Sequence, residues 1–170
     1  MDCEEEDFIK AFFDKNYYTS AAEQRIIIIQ LDTAEVENTD TGIQRPPKAN
    51  NPDYCQQLRY NIITQIKTWL PPQCESYQQD LYYAICIEEM EAWILTIYQK
   101  QDTTKSANPK EKLKREPKIT FKEGDKRCYD EISKEFRKLK NLKIYCQYND
   151  SLHLFVESLQ SLSKKEINVR

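Results

Sequence analysis

The chain has 170 residues, 39% hydrophobic and 31% charged, with a formal net charge of −3. That is one domain's worth of sequence with enough apolar side chains for a core, so disorder throughout is excluded and one domain over 1–170 is expected. No apolar run nears the roughly 20 residues of a membrane span, and the acidic start Met1-Asp2-Cys3-Glu4-Glu5-Glu6 is unlike a signal or transit peptide, so a cytoplasmic protein is expected.

Residues 4–18 read as a helix, with Phe8, Ile9, Phe12 and Phe13 on one face and Asp2 as its N-cap. The β-branched run 25–31 is short and continuous, as in a strand buried on both faces. A polar loop over 32–50, with Gly42 and Pro46-Pro47, is long enough to be functional or mobile. Asn51-Pro52-Asp53 opens a helix whose apolar face, Leu58, Ile62, Ile63, Ile66, Trp69 and Leu70, runs to the stop at Pro71-Pro72. Residues 81–87 form a second buried-strand candidate, and a helix is expected over 88–98. A polar loop over 99–108 leads to a short helix over 109–115. An amphipathic helix over 125–140 would turn Tyr129, Ile132, Phe136 and Leu139 inward. Leu142 to Cys146 could be a short strand, and Asn149 caps a last helix carrying Leu152, Phe155, Val156 and Leu159. Helices alternating with apolar strands predict an α/β fold, a small mostly parallel sheet flanked by helices.

Scarcity excludes several chemistries. Two glycines, Gly42 and Gly124, leave no Walker loop and no GxGxxG fingerprint. One histidine, His153, weakens any Ser-His-Asp or Cys-His mechanism. Six cysteines without a CxxC pair make a zinc site an unlikely use, and Cys86 inside its apolar run reads as a small hydrophobe.

Acidic residues follow both candidate strands. Gln30-Leu31-Asp32-Thr33-Ala34-Glu35 places Asp32 at a strand end, where open α/β sheets bind ligands. Carboxylates alone suit Mg²⁺ or Mn²⁺; equally, Asp32 caps a turn. Ile87-Glu88-Glu89-Met90-Glu91-Ala92-Trp93 follows the second strand, and Glu88 and Glu91 would share a helical face. These glutamates either meet a cation or answer the helix dipole. Trp93 reads as core.

The charge is divided along the chain. Residues 1–99 hold 7 basic and 17 acidic residues; residues 100–143 hold 15 basic and 8 acidic. The basic segment either meets a polyanion or is a solvated surface.

The strand ending in Leu31-Asp32-Thr33, then Ala84-Ile85-Cys86-Ile87-Glu88-Glu89-Met90-Glu91-Ala92-Trp93-Ile94-Leu95, then Asn108-Pro109-Lys110-Glu111-Lys112-Leu113, resembles TOPRIM-like proteins encoded near ATPases in phage-defence or mobile-element loci, relatives of the OLD-family nucleases. The E-x-E-A-W segment is the most specific part, and the resemblance runs from near the N-terminus to Leu162. It implies metal-dependent phosphodiester hydrolysis of DNA or RNA, with Asp32 and Glu91 catalytic and Asp32, Glu35, Glu89 and Glu91 on Mg²⁺ or Mn²⁺. Lys110, Lys112, Lys114, Arg115 and Lys122 would hold the nucleic acid backbone. The family's D-x-D pair is broken here, because Ala34 stands at its second position. The family's first strand and E-G turn are expected either ahead of Met1 or lost, with Asp2 to Ile9 as the helix after them. The alternative implied is an inactive interaction module that partners an ATPase.

Overall fold

A computed structural model describes residues 26–37 and 41–167. The expected helix over 4–18, with Glu4, Glu5 and Glu6, lies outside the described residues. The described chain is α/β, with one two-stranded parallel sheet and six α-helices. Strands β1 (Ile27–Asp32) and β2 (Leu81–Cys86) pair in parallel, with Ile27 opposite Leu81 and Asp32 opposite Cys86. The helices are α1 (Tyr54–Trp69), α2 (Met90–Gln99), α3 (Pro109–Lys114), α4 (Lys126–Ile132), α5 (Leu139–Tyr145) and α6 (Asp150–Ile167).

The pleat sorts the side chains into two cores. Ile27, Ile29, Leu31, Leu81, Tyr83 and Ile85 face α1, whose Tyr54, Cys55, Leu58, Ile62 and Ile66 close that side. Ala84 and Cys86 face the other way, against Trp93 of α2 and Leu152 and Val156 of α6. A third cluster joins Ile94 and Leu95 of α2 to Leu113 of α3 and Ile132 of α4. Parallel strands covered on both faces by helices are the arrangement that a continuous apolar run favours.

β2 meets the expectation, being buried at all six positions. β1 does not, because Ile28 and Gln30 are exposed. Among the described residues, α2 and α6 pack on β2 on that face and β1 has one paired neighbour, so an apolar run alone overstates its burial.

Three other expectations are corrected. The helix expected over 88–98 starts at Met90; Glu88 has a left-handed backbone, φ 67°, and Glu89 is extended at the N-cap. Glu88 and Glu91 therefore do not share a helical face. The helix expected over 125–140 is broken. α4 ends at Ile132, a 3₁₀ turn covers Lys134–Arg137, and Lys138 is extended before α5 begins. Ser133 Oγ bonds back to the Tyr129 carbonyl at the break, a side-chain bond that competes with helix continuation. Leu139, placed inward by a continuous helix, is 61% exposed. The strand expected over 142–146 is the end of α5, with the Asn141 and Leu142 amides bonded to the Lys138 carbonyl. The nine-residue 3₁₀ helix Pro72–Asp80, which buries Cys74, was not expected. Asn149 does cap α6, its Oδ1 accepting the Leu152 amide at 3.0 Å.

Candidate functional site at the carboxyl edge of the sheet

Two parallel strands in register end together, so the segments after Asp32 and after Cys86 meet at one edge. They are stitched by reciprocal bonds. The Glu88 amide donates to Thr33 Oγ1 at 2.7 Å, and the Ala34 amide donates to the Glu88 carbonyl at 2.8 Å. Arg45 crosses from the long loop, donating to the Thr33 carbonyl at 2.6 Å and to Tyr54 Oη at 3.3 Å. A left-handed non-glycine residue costs on the order of 1 kcal/mol, which these contacts offset at Glu88.

Each acidic residue of the edge has a definite setting. Asp32 ends β1 opposite Cys86, whose thiol donates to the Ala84 carbonyl at 4.0 Å. Burial pushes that thiol well above its ordinary range, reinforced by Asp32 and, more weakly, by Glu91. Asp32 closes β1 and Glu91 stands in the first turn of the helix that follows β2, so both belong to the segments that meet at this edge. Glu91, in the first turn of α2, is only 2% exposed, and its Oε1 accepts the Tyr129 hydroxyl from α4. Burial raises the Tyr129 pKa, and the hydrogen bond to Glu91 raises it further. Glu89 pairs with Lys110 of α3 at 2.9 Å, and Glu88 pairs with Lys48 at 2.5 Å. The hydrogen bond to Glu89 is the main cause that raises the Lys110 pKa. The side chain of Glu35 lies outside the described residues.

Three of the acidic side chains described at the edge are taken up by protein partners. Among the described residues, no group of three or more His, Cys, Asp or Glu side chains is placed to hold a metal ion. Mg²⁺ asks for oxygen ligands in near-octahedral order. Here a phenol holds Glu91, while ammonium groups hold Glu88 and Glu89.

The expected phosphate-binding residues divide likewise. Lys110 is given to Glu89 and lies 3.7 Å from Glu123; Lys114 bridges Glu111 at 2.8 Å and Glu123 at 3.2 Å. Lys112 donates to Ser106 Oγ at 2.7 Å. Arg115 and Lys122 are exposed, without a carboxylate within 4.0 Å among the described residues. Five free cysteines are described, four of them buried. No helix among the described residues is long and apolar enough to cross a membrane.

Sequence reasoning missed the polar network that supports the edge from behind. Trp93 Nε1 donates to Ser151 Oγ at 2.7 Å, and Ser151 Oγ donates to Asn149 Oδ1 at 2.8 Å. Asn149 Nδ2 reaches Thr103 Oγ1 at 3.0 Å, and that hydroxyl donates to the Ala92 carbonyl at 2.7 Å. The network fixes α2, and with it Glu91, against the start of α6. Its members are small polar residues tens of positions apart, and the one visible signal was Asn149 as a cap. Comparison with protein-family models, with curated proteins and with solved structures returns no match.

Proposed function

We propose that the chain is a degenerate TOPRIM-like module, which keeps acidic residues at the carboxyl edge but uses them to hold the fold, and which acts by binding a partner such as an ATPase. The observation that carries this reading is Glu91, buried and bonded to the Tyr129 hydroxyl. A carboxylate withdrawn from water and bonded through one oxygen to a phenol is used to pack α4 against α2. The pairs Glu88–Lys48 and Glu89–Lys110 extend the same logic. The broken D-x-D at Asp32 and Ala34 agrees with it.

A second reading, a working metal-dependent nuclease acting on DNA or RNA in a defence context, is favoured by one observation. Asp32 ends β1 and Glu91 opens the helix after β2, so two acidic residues lie in the segments that meet at the edge. With Glu35 they would supply the ligands for Mg²⁺ or Mn²⁺, and Arg115 and Lys122 the free cations for a phosphate backbone.

Calorimetric titration with Mg²⁺ and Mn²⁺, on the natural protein and on Asp32→Ala, separates the two, with plasmid and tRNA cleavage followed in parallel. The module reading expects no saturable heat and no cleavage by either protein. Metal binding and cleavage by the natural protein, both lost in Asp32→Ala, would overturn it in favour of the nuclease.

A further inference from the structure

Between Phe136 and Asn149 the chain carries four basic residues, Arg137, Lys138, Lys140 and Lys143, and no acidic one. Two of the four are answered within the molecule, Arg137 by Asp130 and Lys138 by Glu135 at 3.9 Å. Lys140 and Lys143 are exposed and have no carboxylate within 4.0 Å among the described residues. Both stand on α5, which also carries two exposed large hydrophobic side chains, Leu139 at 61% and Ile144 at 42%.

Packing sets the inner side of α5. Leu142 lies against the cluster of Trp93, Cys146, Leu152 and Val156, and Tyr145 meets Phe136 edge-on at 6.1 Å. With about 100° between successive residues, Leu139, Lys143, Lys140 and Ile144 follow one another across an arc of about 140° on the opposite side. The two lysines therefore lie between the two apolar side chains.

That order decides what fits. An interfacial helix sinks an unbroken apolar face into lipid and keeps its cations on the polar side. Burying both Leu139 and Ile144 in hydrocarbon would carry Lys140 and Lys143 in with them. A phosphate backbone is held by cations alone and leaves the aliphatic borders in water. A protein surface with carboxylates at its centre and apolar side chains on either flank answers both kinds of residue, by opposite charge and by apolar burial.

We propose that the outer face of α5 is a docking surface for an acidic partner protein, whose carboxylates pair with Lys140 and Lys143 while the apolar side chains beside them cover Leu139 and Ile144. This rests on the reading of the chain as a partner-binding module and names the surface by which it would act. Its test is run in EDTA, so its failure and a positive Mg²⁺ titration are separate results.

The full chain is titrated into a fluorescent peptide of three repeats of Leu-Glu-Ala-Ala-Glu-Leu-Ala, a helix that sets the same order of residues with the opposite charge. Two control peptides replace Glu by Gln, or Leu by Ala. Saturable binding is expected, roughly tenfold tighter or more for the first peptide than for either control, with amide shifts in ¹H–¹⁵N spectra centred on 138–145. Lys140→Glu with Lys143→Glu should weaken it by about tenfold or more, and Leu139→Ser with Ile144→Ser by about tenfold. Lys67→Glu with Lys126→Glu, the same charge change at exposed positions of α1 and α4, should stay within about threefold of the natural protein. The four residues of the face are exposed, so the variants should fold; should the Glu pair not, Lys140→Ala with Lys143→Ala repeats the test. No saturable binding, equal affinity for either control peptide, or an equal loss in the α1 and α4 pair would each overturn the proposal. So would displacement of the peptide by a short DNA duplex or by phosphatidylserine vesicles at lower concentration than by unlabelled peptide, which would assign the face to a nucleic acid or to a membrane surface.

Discussion

Removing the Tyr129 hydroxyl tests the central claim about Glu91. In Tyr129→Phe the ring remains, so its edge-on contact with Phe121, 5.4 Å between centroids, is kept. Only the bond to the buried Glu91 carboxylate is lost. A hydrogen bond to a charged group contributes about 1.5–3 kcal/mol, and Glu91 at 2% exposure has little water to replace it. A loss of about 2 kcal/mol lowers Tm by about 4–8 °C in a chain of this size. Thermal and urea unfolding of Tyr129→Phe, Glu91→Gln and the double variant complete a cycle whose coupling should exceed about 1 kcal/mol. If Tyr129→Phe falls within about 0.5 kcal/mol of the natural protein, and the cycle shows no coupling, the bond is not structural. Stabilisation by millimolar Mg²⁺, lost in Glu91→Gln, would show instead that Glu91 serves a metal.

Two more predictions come from the cores. Tyr83 is buried against α1, and its hydroxyl has no hydrogen-bond partner among the described residues, so Tyr83→Phe should leave stability unchanged or raise it by up to about 1 kcal/mol in urea unfolding; a loss above about 1 kcal/mol would refute this. Stability should also fall at alkaline pH. Burial raises Cys55 from 9.0 to about 12 and Tyr98 from 10.0 to about 12, and it moves Cys86 and Tyr129 the same way. The unfolded chain gives up these protons first, so the folded state holds more of them and ΔG declines as pH rises. The contribution is whole below pH 9, where the unfolded thiols begin to titrate, and is lost towards pH 12. A urea midpoint that stays constant from pH 8 to pH 11 would contradict this assignment of buried neutral groups.

The sequence made the sheet legible because burial in a parallel pair needs an uninterrupted apolar run, and only 25–31 and 81–87 supply one. It made α1 and the Asn149 cap legible for equally local reasons, a 3.6-residue apolar stripe and a cap three residues before the amide it receives. Local pattern failed where two periods compete. Leu142, Ile144 and Cys146 alternate with polar residues as a strand would, yet no strand among the described residues pairs with them, and the segment is helical. The break at Ser133 depends on a single hydroxyl turning back on the Tyr129 carbonyl. That choice is invisible in an amphipathic pattern that reads through from 125 to 140.

The site was legible in a different sense. Acidic residues after each strand are visible in the sequence, and parallel pairing in register brings them to one edge. Their partners are not visible, because Lys48, Lys110 and Tyr129 lie 40, 21 and 38 positions from the acids they hold. That difference decides the functional reading. A carboxylate at a strand end is a ligand only if the fold leaves it open to an ion, and openness is a property of what packs against it. α4 brings Tyr129 onto Glu91, and α3 brings Lys110 onto Glu89. α3 therefore reaches back to neutralise Glu89, and α4 to give Glu91 a neutral hydrogen-bond donor. The uneven charge along the chain is met within the molecule at Lys110 and Glu89, while the other ion pairs described for the basic segment join residues inside it.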